Sequence, residues 1–159
     1  MGGAIDNVYG MIFDSKSSKL MASKELRQAI LHAIDRDLLV QALFAGRTTP
    51  ANSSSRRLRR PLPPAVRRQA LRPRKGEGLV KASGYKGEPI VWCIQTGYYT
   101  QELTVSQAIA GMLKAVGLNV QLEVKENWTQ VEADGADRMI NNASFSAYYP
   151  DPVAQLWRR

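Results

Sequence analysis

With 159 residues, 44% of them hydrophobic and 23% charged, the chain is long enough to bury one real core and has no apolar run that could span a bilayer. Its single cysteine excludes an internal disulfide, and one cysteine with one histidine cannot build a protein-only zinc site. A formal net charge of +8 would ordinarily point to an anionic partner, but nine of the 22 Lys and Arg crowd between Arg56 and Lys75 without a single acid, and the other 13 face 14 acidic residues.

Met1-Gly2-Gly3 lacks the basic start and apolar run of a secretory signal, so none is read at the amino terminus. Val8 to Phe13 reads as a strand. Ser23 then offers a helix N-cap, with Glu25 in the first turn, where the helix dipole favours a carboxylate. Leu26, Ala29, Ile30, Ala33 and Ile34 form an apolar stripe at helical spacing. Asp35 caps a second helix and Asp37 lies in its first turn. Leu38, Leu39, Ala42 and Leu43 continue the stripe, and Gly46 stands where a left-handed cap ends a helix. The pattern predicts a buried helical corner.

Ser53 to Gly78, "SSSRRLRRPLPPAVRRQALRPRKGEG", has neither helical nor strand periodicity. It offers too little large apolar surface to offset its ordering entropy. One reading is a disordered, solvated loop. Another is a basic arm for nucleic acid or anionic lipid, although no aromatic ring interleaves the arginines to stack on bases.

Glu88 to Gln95 is a β-rich run fit for a central strand, with Cys93 in it as a buried, inert thiol, and Thr96-Gly97 breaks it. Glu102 to Val116 is an amphipathic helix with Val105, Ile109, Met112, Leu113 and Val116 on one face and Gly117 as its stop. Leu118, Val120, Leu122 and Val124 alternate with polar residues, a strand with one wet face. Asn127 can cap a short helix through about Ala133, and Asp137 to Tyr148 reads as a last strand. Strand, helix and strand in this order predict a right-handed parallel crossover. The predicted class is α/β, a mixed sheet flanked by helices.

No catalytic constellation is visible, so no enzymatic activity and no cofactor are expected. His32 lies mid-helix with no nucleophile or carboxylate fixed beside it, and no Gly-rich phosphate loop occurs. Tyr98 and Tyr99 follow a strand and precede a helix, at the carboxyl end of the strand, where α/β ligand sites gather. Tyr148 and Tyr149 lead into the rigid turn Pro150-Asp151-Pro152, and Ser146 just before them is counted with the same group. Tyrosine suits a binding wall, with a large apolar face and one hydroxyl; the same rings could equally cap the domain's own core. Trp128 reads as a packing anchor.

Four stretches in order carry a resemblance. "RQAILHAIDRDLLVQALFAGRTTPAN" (Arg27 to Asn52), "ASGYKGEPIVWCIQTGYY" (Ala82 to Tyr99), "AIAGMLKAVGLNVQLEVKENW" (Ala108 to Trp128) and "YPDP" (Tyr149 to Pro152) resemble segments of the extracytoplasmic solute-binding proteins of ABC importers, the group that takes dipeptides, oligopeptides and nickel complexes. The resemblance implies a partial, single domain over 1–159, a fragment of the second lobe of a periplasmic-binding-protein-like fold. Its parent would be periplasmic or extracytoplasmic, peripheral to the membrane, with a peptide or similar small solute and an ABC permease as partners and no nucleic acid. Tyr98, Tyr99, Ser146, Tyr148 and Tyr149 would approach the cleft between lobes. Peptide-binding members often carry an Asp where Tyr148 stands, which departs from that pattern. A fragment of this kind would not bind solute tightly alone, and sheet edges left open could pair between copies.

The resemblance also supplies a third reading of the basic stretch. The family usually has "Y-D-P-E-K-A-K" there. Permitted codons for Arg72 to Gly78, read one base later, encode Asp-Pro-Glu-Lys-Ala-Lys, so residues from about 54 to 78 are expected to be an out-of-frame insert.

Overall fold

A computed structural model describes residues 7–48, 50, 71–132 and 138–146, with residues 7, 8 and 144–146 described as backbone only. Strand β1 (Asn7–Phe13) is followed by helices α1 (Lys19–Ala22), α2 (Lys24–Ala33), α3 (Arg36–Phe44) and α4 (Pro73–Ala82). Strand β2 (Ile90–Gln95), helix α5 (Glu102–Ala115), strand β3 (Val120–Lys125), helix α6 (Trp128–Glu132) and strand β4 (Ile140–Ser146) complete the order.

The four strands form one mixed sheet in the order β1-β4-β2-β3. β2 runs parallel to both β3 and β4, whereas β1 is antiparallel to β4, with Asn7 opposite Ser146 and Phe13 opposite Ile140. The carboxyl ends of β2, β3 and β4 therefore share one end of the sheet, and the start of β1 joins them there. β2 is the central, buried strand the sequence predicts; Trp92, Ile90 and Ile94 are fully enclosed. Helix α5 makes the crossover to β3 and packs Val105, Ile109 and Leu113 onto the sheet.

The helical corner forms as its caps dictate. Ser23 Oγ accepts from Leu26 N–H at 3.2 Å and Asp35 Oδ1 from Leu38 N–H at 2.9 Å. Leu26, Ala29, Ile30, Ala33 and Ile34 are all buried. Beyond Asp35 the stripe fails: Leu39 is buried, but Leu38 is 54% exposed and Ala42 is exposed too. Nothing in the described residues covers that side of α3. The left-handed stop begins one residue early, at Ala45 (φ 49°), and continues through Gly46 (φ 70°).

One expectation is corrected. The sequence predicts an aperiodic stretch through residue 78, yet α4 is helical from Pro73. It lies on α2 with Gly76 against it, and a Cβ at that position would meet Ala29 O at 3.4 Å, an ordinary contact. Arg72 N–H donates to His32 O at 3.0 Å, fixing the helix entry. The six residues Pro73 to Gly78, two of them glycine and none a large apolar residue, carry too little apolar signal to show a helix. The remainder of the basic stretch, up to residue 70, lies outside the described residues.

Candidate functional site

The backbone after β2 prepares the site. Gly97 (φ 80°) turns the chain, and Gln101 (φ 59°) takes a left-handed conformation that costs a non-glycine residue energy. Gln101 Nε2 donates to Leu43 O at 3.0 Å, and Glu102 N–H to Tyr99 O at 3.3 Å, so the loop is tied at both ends. The result presents Tyr98, 55% exposed, and Tyr99, half-buried, at the carboxyl end of the sheet.

Four rings then meet edge to face. Tyr9 of β1 lies 5.1 Å from Tyr99, Tyr99 lies 4.6 Å from Tyr98, and Tyr98 lies 5.6 Å from Trp128 at the start of α6. Interplanar angles of 83° to 89° are the geometry that aromatic quadrupoles favour. The row crosses the mouth of the sheet from β1 to α6. Asn127 Oδ1 caps α6 through Gln130 N–H at 3.0 Å, which seats Trp128. Ser146 ends β4 at the same edge, opposite Asn7. Tyr148 and Tyr149 lie outside the described residues.

Behind the rings runs a buried polar chain. Trp92 Nε1 donates to Asn142 Oδ1 at 3.0 Å, and Asn142 Nδ2 donates to Glu102 Oε1 at 3.1 Å and reaches Ser106 Oγ at 3.4 Å. The Tyr9 hydroxyl meets the same Ser106 Oγ at 3.4 Å. Glu102 is 2% exposed and its second oxygen, Oε2, has no hydrogen-bond partner. Burial raises the Tyr9 hydroxyl well above its ordinary range, and the nearby Glu102 charge pushes the same way against the bonds from Ser106 and Asn142.

Of the residues the sequence singles out, Tyr98 and Tyr99 lie together in the row of rings and Ser146 ends β4 at the same end of the sheet; Tyr9, Glu102, Ser106 and Asn142 are not singled out by the sequence, and Trp128 reads there only as a packing anchor. One signal was present: Asn141-Asn142 inside a strand must turn one amide toward the core. His32 is buried in α2 rather than placed in any catalytic group. Burial raises the Cys93 thiol, as for an inert core residue. No three His, Cys, Asp or Glu among the described residues could hold a metal, and no helix there is long and apolar enough to cross a membrane.

The "Putative ABC transporter peptide-binding protein" of Brucella ovis is 36% identical over 104 residues, which cover 60% of this chain and 19% of that protein. The Escherichia coli murein tripeptide binding protein MppA superposes with a TM-score of 0.76 at 18% identity, covering 94% of this chain and 31% of that one. DppA from Helicobacter pylori, solved with the peptide STSA, gives 0.76 at 19% identity over 96% and 29%. The chain thus has a partial periplasmic-binding-protein-like fold and spans about a fifth of the length of the curated relatives it matches. The family pattern itself runs from residue 3 to residue 159, and the chain belongs to the bacterial extracellular solute-binding proteins, family 5 Middle.

Proposed function

We propose that this chain forms part of the second lobe of an ABC-importer binding protein, and that Tyr9, Tyr98, Tyr99 and Trp128 make one wall of its solute cleft. The observation that carries this is the row of four rings across the carboxyl ends of parallel strands, with Tyr98 left 55% exposed. Ligands of open α/β sheets bind at the carboxyl ends of the strands, and aromatic side chains supply the apolar lining of such clefts. Relatives of the same fold are named for peptide ligands, and one, NikZ from Campylobacter jejuni, was solved with Ni(L-His). The solute is therefore a peptide or a similarly small polar molecule, captured outside the cytoplasm and passed to a membrane permease, with Ser146 at the same rim.

A cleft with one wall buries little of its ligand, so the 159-residue chain binds peptide weakly. Calorimetry with a tripeptide should register no micromolar affinity, while NMR titration at millimolar peptide should shift Tyr98, Tyr99 and Trp128 before other residues. Shifts confined to other faces would refute the wall. The nucleic-acid reading of Arg56 to Lys75 gains no support, because the family pattern runs straight through that stretch. Any retention of DNA on filters should be weak, lost in moderate salt and lost when Arg56 to Lys75 are neutralised, because those nine positive charges carry the whole net charge of +8; tight retention that prefers one DNA sequence over others would revive that reading.

A further inference from the structure

Gln101 departs twice from what its position favours. It stands at the N-cap of α5, where Ser, Thr, Asn or Asp caps best with its own side chain, and it makes no such bond. It also holds a left-handed backbone (φ 59°), which a residue with a Cβ adopts at a cost. Both departures accompany one contact. The Gln101 amide Nε2 donates to Leu43 O at 3.0 Å, across 58 residues of sequence, in the last turn of α3. Carbonyls of a last turn have no donor within their own helix. The nearby backbone donors serve other acceptors: Ala45 and Gly46 N–H donate to Val40 O, and Arg47 N–H to Phe44 O. On its other side Gln101 O accepts from Val105 N–H at 2.9 Å, and Glu102 N–H donates to Tyr99 O. One residue thus joins α3, α5 and the loop that carries the rings.

We propose that Gln101 is a positioning residue of the solute wall: by tying the loop of residues 96–101 to α3, it fixes where Tyr98 and Tyr99 present their faces. This rests on the cleft reading above. Tyr99 lies two residues before Gln101 and touches both Tyr9 and Tyr98, so a displacement of the loop at Gln101 passes into the row. The ring contacts hold the outer part of that loop weakly, because Tyr98 is 55% exposed and its neighbours are Tyr99 of the same loop and Trp128 of a five-residue helix. A wall already in its binding geometry loses less freedom when solute arrives. Glycine would take the left-handed backbone more readily but would carry no tether.

The test is Gln101→Gly in the full 159-residue chain. Relief of the left-handed strain offsets the lost bond, so the urea midpoint should move little. The ring proton resonances of Tyr98 and Tyr99, displaced in wild type by their edge-to-face neighbours, should move toward those of free tyrosine. Trialanine should bind about two- to tenfold more weakly by NMR titration. Gln101→Lys keeps an N–H donor with enough reach on the same backbone and should restore both the ring resonances and the affinity. Unchanged ring resonances in Gln101→Gly, or a loss in Gln101→Lys as large as in Gln101→Gly, overturns the tether and leaves the wall standing. Displaced rings with unchanged trialanine affinity overturns the positioning role. If trialanine shifts neither Tyr98 nor Tyr99 in the wild type, the wall falls and the positioning role with it. Should neither variant fold, the wild type decides. Slow exchange of the Gln101 Nε2 protons with nuclear Overhauser contacts to Leu43 supports the tether, and exchange as fast as that of a free amide refutes it.

Discussion

Tyr9 is the residue at which the wall and the polar chain meet, since its ring packs on Tyr99 and its hydroxyl reaches Ser106. Burial keeps that hydroxyl protonated in the folded chain beyond the pH, about 10, at which an unfolded tyrosine ionises. A raised folded value adds stability that is complete below pH 10 and lost as pH rises above it, at up to about 1.4 kcal/mol per pH unit for one group. Tyr9→Phe should cost little at pH 7, because the bond to Ser106 is long, and should flatten the alkaline loss. Urea unfolding at pH 8 and pH 11 checks this; equal slopes for wild type and variant would refute it. Some slope must remain, because burial raises Tyr85 as well. Trp92 behaves differently. Its indole is fully buried and is the donor to Asn142 Oδ1, so Trp92→Phe removes volume and orphans an acceptor together. The expected loss is about 2–4 kcal/mol by urea unfolding at neutral pH; a loss under about 1 kcal/mol would show the network to be slack.

At the scale of elements, α4 is the helix whose sequence fits its place least. Its N-cap, Arg72, makes no side-chain capping bond, its first turn holds no acid, and Arg74 and Lys75 oppose the dipole there. Gly76 and Gly78 lie inside it. The alternative frame meets most of these defects: its Asp-Pro-Glu-Lys-Ala-Lys puts an aspartate at the cap, keeps Pro73 at the first position, sets a glutamate at 74 and an alanine at 76, and leaves a lysine at 75. The alanine fits, since a Cβ at 76 finds its nearest neighbour at 3.4 Å, an ordinary contact. We propose on these grounds that the stretch from about 54 to 78 is read out of frame. Arg72→Asp with Arg74→Glu and Gly76→Ala should stabilise the chain by about 2–3 kcal/mol. That corresponds to a melting temperature about 5–10 °C higher by calorimetry, and a lower one would sink the proposal. The gene offers a second check: one length change near codons 52–56 and an opposite one near 78–79.

At the scale of the whole molecule, what the sequence reveals divides by distance along the chain. Caps at Ser23 and Asp35, the stripe from Leu26 to Ile34 and the stop at Gly117 are written within three or four residues, so they could be read directly. The polar chain could not. Tyr9 and Ser106 are 97 residues apart and Trp92 and Asn142 are 50 apart, brought together only by the pairing of β1 and β2 with β4. Burial on an outer face is equally illegible, because it depends on what lies across from it. Leu38 and Val124 alternate or repeat as core residues do, yet are 54% and 52% exposed. Val124 also marks where the molecule is open. It lies on β3, an outer strand of the sheet, and the charges beside it, Glu123 and Lys125, are paired with each other at 2.8 Å. A self-neutralised pair repels a second copy poorly, and a strand edge with apolar residues that no described strand pairs invites one. Light scattering across a concentration series should therefore show masses rising above the 17.7 kDa of one chain. Val124→Lys puts an uncompensated charge on that edge and should hold the chain monomeric without changing its far-ultraviolet dichroism. A single-chain mass at every concentration, or association undiminished by Val124→Lys, would place the contact elsewhere or remove it.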